Sequence, residues 1–285
     1  MHYRLDGKDL LVEDLVPLSL PDTLDCGQSF RWRQLEEDLF EGMAGPHYLK
    51  IGREGEIFRF YDTEEELFLS FWKNYFDMET DYQAICQRLV QDEVMAKAAA
   101  YAPGIRVLHQ DGWEALISFI ISQNNNVARI KGIVERLCQT LGTEVRCGWY
   151  SFPTPEQLAA CTVEELAPLR AGFRAKYLVD AAQKVASGQV DLAQVAKLPT
   201  PQARELLMTI KGVGVKVADC ALLYGFAKMD CFPQDVWIKR AVAFLYPQGL
   251  PEVVLENPGI AQQYIFHYAR TCPEAFAEMG NKKNL

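Results

Sequence analysis

The chain has 285 residues, 49% of them apolar and 24% charged, which suits a folded protein with a sizeable core and excludes disorder and low-complexity structure. No apolar run reaches the roughly 18 residues of a membrane span, since Glu114 and Asp219 interrupt the best stretches. The net charge of −9 is uneven: residues 1–100 carry 21 acidic and 10 basic side chains, whereas 169–216 carry eight Lys/Arg against three Asp/Glu, a local patch that suits a polyanion.

The N-terminus, MHYRLDGKDL, has no apolar signal segment, so the expected location is the cytoplasm. Short runs at 29–33, 39–43, 48–51 and 57–61 are rich in aromatic and β-branched residues, and Gly42, Gly45-Pro46, Gly52 and Gly55 punctuate them. They predict an antiparallel sheet of hairpins. At Thr63-Glu64-Glu65-Glu66 the pattern turns helical, with an N-cap and acidic first turn ahead of Leu67, Phe68, Phe71, Trp72 and Tyr75. Beyond residue 100 helices are predicted at 111–122, 127–141, 155–160, 163–169, 174–187, 201–209, 215–227, 235–246 and 259–271. The fold class is α+β, a sheet domain over 1–100 with flanking helices and a helical domain over 101–285. Eight cysteines without a C-x-x-C pair and four dispersed histidines predict mostly buried, reduced thiols and no metal centre. Walker A, G-x-G-x-x-G and G-x-S-x-G motifs are absent.

The sharpest segment is Lys211-Gly212-Val213-Gly214-Val215-Lys216. Gly212 and Gly214 can take positive φ and let another backbone approach closely. The N–H groups that open the next helix then form an anion site fit for a DNA phosphate. An αα-hairpin turn without ligand fits the same residues. Lys216 stands in the first helical turn, where the macrodipole's positive end favours the free amine, the form that attacks carbon. Pro233-Gln234-Asp235 opens another helix. Asp235 reads as its N-cap and as a carboxylate able to steady developing positive charge.

A hairpin followed by Lys, then P-x-D, resembles the helix-hairpin-helix DNA glycosylase superfamily in its lysine-bearing, bifunctional form. Asp25–Trp32 (DCGQSFRW), Asn124–Arg129 (NNNVAR), Gly172–Tyr177 (GFRAKY), Lys216–Cys220 (KVADC) and Ala261–Phe266 (AQQYIF) resemble 8-oxoguanine DNA glycosylase, and the resemblance runs from about residue 5 to 271. It implies an N-terminal antiparallel sheet domain followed by a mostly α-helical helix-hairpin-helix glycosylase domain. It also implies a base-excision enzyme that flips out and excises 8-oxoguanine opposite cytosine through a Lys Schiff base and nicks by β-elimination. Lys216 and Asp235 are then catalytic. Gly27 offers its carbonyl to N7–H of the lesion, Gln262 reads the Watson–Crick edge, and Cys220 and Phe266 enclose the ring. Asn124 fills the vacated stack, Phe173 is the wedge, and Arg129 and Arg174 bind the widowed cytosine. Gly212, Val213 and Gly214 grip phosphate.

The implied partner is duplex DNA containing 8-oxoguanine, bound by a monomer and away from membranes. With only Cys272 after Asp235 no iron–sulphur cluster is expected, and no cofactor beyond a structural ion that the hairpin backbone could hold. Trp237 stands where the family often has His, Gln234 where it has Val, and Ala269 where eukaryotic members often carry an acid. A short tail without a basic run points to a bacterial-type member. The rival readings are a glycosylase for another damaged purine and a non-catalytic DNA-binding module.

Overall fold

The computed structural model describes residues 1–15 and 17–272, so most of the tail invoked above lies outside the described residues. Six strands, β1 (His2–Asp6), β2 (Asp9–Glu13), β3 (Trp32–Glu36), β4 (Leu39–Ala44), β5 (His47–Glu54) and β6 (Ile57–Tyr61), form one antiparallel sheet in the order β1-β2-β6-β5-β4-β3. Alternation explains its buried face: Phe58 and Phe60 of β6 and Leu49 and Ile51 of β5 point inward. They meet Phe68, Trp72, Tyr75 and Phe76 in a separate sheet core.

Two expectations shift here, and strands β1 and β2 had no counterpart among the expected ones. The strand expected at 29–33 begins at Trp32, because the Gln28 amide donates to the carbonyls of Thr23 and Arg106 and accepts from Leu108 N–H. Those bonds hold the preceding segment as a buried connection instead of a ladder. The edge strand β1 has all five residues exposed, so it carries no inward-facing apolar set to betray it. Glu64, rather than Thr63, occupies the N-cap; the Thr63 hydroxyl donates to the Tyr61 carbonyl instead, and the helix widens into a π turn at Phe68–Trp72.

The main helices are α1 (Leu20–Leu24), α2 (Tyr82–Leu89), α3 (Glu93–Tyr101), α4 (Gly112–Ser122), α5 (Val127–Leu141), α6 (Ala175–Ala186), α7 (Thr200–Met208), α8 (Val215–Phe226), α9 (Val236–Leu245) and α10 (Pro258–Thr271). Short helices at Leu192–Lys197 and Glu252–Glu256 were too brief for a periodic signal. The helix expected at 163–169 is a run of turns ending in a 3-10 turn at Ala167–Leu169; Pro168 lacks a donor and Arg170 enters the left-handed region at φ 56°. Helix α4 is buried from Trp113 to Ile121 and packs along α8. Tyr82, Ile85, Leu89, Met95 and Ala98 of α2 and α3 join this helical core, not the sheet core. No helix among the described residues is long and apolar enough to cross a membrane. All eight cysteines are free thiols, and four are buried, fewer than expected.

Candidate active site

The hairpin joins α7 to α8, and α6 buttresses it from beneath. Asp180 accepts the Lys211 N–H at 2.7 Å, and Lys184 Nζ donates to the Thr209 carbonyl at 2.5 Å. Gly212 sits at φ +79°, with the Tyr177 ring 2.4 Å from where a Cβ would stand. Gly214 does not use that freedom: its backbone is extended (φ −101°, ψ −179°), and a Cβ there would meet open space. The first N–H groups of α8 have no intrahelical acceptor, and Gly214 at its N-cap has no side chain to accept from them. Both features leave the outer face of the turn bare.

Lys216, the second residue of α8, is half-buried. Its Nζ donates to Ser122 Oγ at 3.4 Å and lies 5.4 Å from the centre of the Phe119 ring. Asp235 caps α9 as expected, one carboxylate oxygen accepting the Ile238 N–H at 2.7 Å. Both line one cavity of about 300 Å³, and Gly27, Cys220, Gln262 and Phe266 line it too. The i, i+4 pairs Lys216/Cys220 and Gln262/Phe266 therefore present their shared faces to the same space. Gln262 is buried, with Nε2 donating to the Pro233 carbonyl at 3.1 Å. Burial pushes the Cys220 thiol up, against the pull of the Lys216 charge. Gly27 stands at φ +92°, with Arg270 Nη1 3.2 Å and Val127 Cγ2 3.3 Å from a would-be Cβ, so a side chain there would strain the backbone and crowd both neighbours.

The four residues assigned to the opposite strand do not line this cavity; they gather at the loop beyond α4. Asn125 Nδ2 donates to the Ile121 carbonyl and Asn126 caps α5, leaving Asn124 exposed at φ +51°. Arg174 is buried, donating to the carbonyls of Gln123, Asn124 and Ala171. Burial and the nearby charge of Arg129 both lower its basicity, whereas Arg129 itself is exposed. Phe173 is 48% exposed, and its ring lies 5.9 Å from that of Tyr177. Tyr177 thus joins this cluster to the hairpin. Among the described residues no group of three or more His, Cys, Asp or Glu is arranged to hold a metal ion.

Residues 10–116 match the family model described as 8-oxoguanine DNA glycosylase, N-terminal domain, and residues 117–249 match that of the HhH-GPD superfamily base excision DNA repair proteins. An N-glycosylase/DNA lyase of Saccharomyces cerevisiae is 31% identical over 251 residues, covering 78% of this chain and 67% of its own length. The chain belongs to the 8-oxoguanine DNA glycosylase family. The solved structure of MBOgg1 in complex with a low-affinity DNA ligand superposes with a TM-score of 0.89 at 39% identity, covering 98% of this chain and 100% of that one. The Clostridium acetobutylicum 8-oxoguanine glycosylase/lyase, in complex with duplex DNA containing cytosine opposite 8-oxoG, gives 0.89 at 33% identity, covering 95% and 98%.

Within this glycosylase fold the cavity also draws on residues that the sequence did not single out. Phe119, Ser122, Tyr224 and Arg270 line it. Trp237, which departs from the family pattern, lines it too, 56% exposed on the first turn of α9. Phe119 and Tyr224 lie stacked (5.3 Å, 19°). Their apolar periodicity marked them only as core. Ala269, another departure from the family pattern, also lines the cavity, so no acid stands there.

Proposed function

We propose that this chain excises 8-oxoguanine from duplex DNA and then nicks the strand, with Lys216 as nucleophile and Asp235 as its electrostatic partner. The observation that carries the reading is the convergence of Lys216 and Asp235 on one cavity with Gly27, Cys220, Gln262 and Phe266. Its size, at the small end of ligand pockets, suits one extruded nucleobase.

The free amine of Lys216 attacks C1′ as the glycosidic bond breaks. The base leaves with the bonding electrons and gains a proton, while the amine loses one. The Asp235 carboxylate, held rigid by its capping bond, stabilises the cationic sugar at the transition state. Ring opening yields a Schiff base, and loss of a C2′ proton expels the 3′ phosphate. Gly27 and Gln262 select the lesion, Cys220 and Phe266 enclose it, and the hairpin at Gly212, Val213 and Gly214 grips the backbone. Asn124, Phe173, Arg129 and Arg174 hold the emptied stack and the widowed cytosine. The chemistry uses side chains and backbone alone; a structural ion at the hairpin would serve grip, not bond breaking. The enzyme is proposed to act as a monomer in the cytoplasm of a bacterium, where the genomic DNA lies.

Borohydride trapping tests the core of this reading. Wild-type protein becomes covalently attached to duplexes with 8-oxoguanine opposite cytosine. Lys216→Gln neither traps nor excises, yet binds within about threefold of wild type because phosphate contacts dominate affinity. Substantial excision by this variant would place the nucleophile elsewhere.

A further inference from the structure

Cys26 precedes Gly27 in the loop at the cavity rim, and three α10 side chains spaced i, i+4, i+7 reach toward it, two to the loop itself and His267 to α1 just before it. Gln263 Nε2 donates to Cys26 Sγ at 2.9 Å, Arg270 Nη1 donates to the Cys26 carbonyl at 3.4 Å, and His267 Nε2 lies 3.3 Å from Asp22 Oδ1. The bonds through Gln263 run in one direction. The Tyr224 hydroxyl donates to Gln263 Oε1 at 2.6 Å, the Gln263 amide donates to the Cys26 thiol, and the thiol donates to the Thr23 carbonyl at 3.4 Å. Gln263 is only 1% exposed, and Cys26 and Tyr224 are buried as well. Burial pushes the Cys26 thiol up to about 12, so it keeps its proton and can accept and donate at once. The neighbouring Gln262 and Phe266 face the cavity. One helix therefore carries the edge and ring that meet a base and, on the adjoining face, the grip on the loop opposite.

We propose that Gln263 is a positioning residue for lesion recognition: through Cys26 it sets the Gly27 backbone in register with Gln262, so that both meet the same extruded base. This rests on reading Gly27 and Gln262 as base contacts. Tyr224 anchors the far end, and Arg270 adds a second, more exposed tie. Hydrogen bonding is steep in distance and angle, so a loop displaced by a fraction of an ångström loses its contact with the lesion while Lys216 and Asp235 stay in place.

The test separates recognition from bond chemistry. Gln263→Leu and Cys26→Ala each remove the bond, whereas Cys26→Ser keeps a donor and an acceptor at that place. Excision from 8-oxoguanine:cytosine duplexes is followed as kcat and KM, beside borohydride trapping at a preformed abasic site, which needs Lys216 but no base. Gln263→Leu and Cys26→Ala are expected to lower kcat/KM for excision about 5- to 10-fold, the loss of one buried hydrogen bond, with trapping changed by no more than about twofold. Cys26→Ser restores excision. Wild-type excision by Gln263→Leu, or a parallel fall of excision and trapping, overturns the proposal; should Gln263→Leu fail to fold, the Cys26 pair decides by the same criteria. Gln262→Ala distinguishes the layers. If it excises normally, the reading of the base contacts itself falls; if it is impaired while Gln263→Leu is not, only the positioning role falls.

Discussion

Adding one methyl group at either glycine of the hairpin has opposite consequences. At Gly212 the backbone stands at φ +79° and the new Cβ would lie 2.4 Å from the Tyr177 ring. The left-handed conformation costs an L-residue roughly 1–2 kcal/mol. Displacing a packed ring adds about 1–3 kcal/mol. Gly212→Ala is therefore expected to lose about 2–5 kcal/mol, or about 3–8 °C in Tm at this chain length. At Gly214 the backbone is extended and a Cβ meets nothing within 4 Å. Alanine there stiffens the unfolded chain but is a poorer N-cap than glycine, and the two effects leave stability within about 1 kcal/mol of wild type. Its methyl occupies the bare face where phosphate is proposed to approach, so binding to undamaged duplex should weaken about tenfold, one charge-assisted hydrogen bond. Thermal unfolding and duplex titration at one fixed salt concentration measure both. An unchanged Tm for Gly212→Ala refutes the packing argument, and wild-type affinity for Gly214→Ala refutes the phosphate grip.

Arg129→Ala is expected to narrow the preference for cytosine opposite the lesion about tenfold without altering Tm, whereas Arg174→Ala also lowers Tm, because Gln123, Asn124 and Ala171 lose a buried donor. Equal losses against all four opposite bases would make these arginines general DNA grips. Arg31 and Glu114 form a buried pair at 3.0 Å. Glu114→Ala strands the guanidinium and should cost about 3–5 kcal/mol in urea unfolding; a loss under 1 kcal/mol would contradict its burial. Burial raises the Asp22 carboxyl, but the hydrogen bonds from His267 and Ser19 more than reverse that, leaving it below its ordinary 3.8. Its stabilisation is present above pH 3.8 and lost as the pH falls through the lower folded value. The stability gap between wild type and Asp22→Asn should thus close on acidification below that pH, and a gap constant down to pH 2 would deny the linkage.

Local chemistry made much of this protein legible in its sequence. Strand β6 and the helix ends at Asn126 and Asp235 follow from alternation and capping, which depend on residues within a few positions of each other. The hairpin and the i, i+4 pairs Lys216/Cys220 and Gln262/Phe266 are likewise short-range patterns, and all four paired residues reach the cavity. Other features had no local signal. Edge strand β1 exposes every residue, and only its ladder to β2 makes it a strand. Gly212 and Gly214 look alike in sequence, yet the Tyr177 ring makes one indispensable to packing and leaves the other facing open space. Phe119 and Tyr224 read as core until the fold turned them toward the cavity. The bond from Gln263 to Cys26 joins residues 237 positions apart. Periodicity reports which face of an element is buried; only packing decides what that face is buried against.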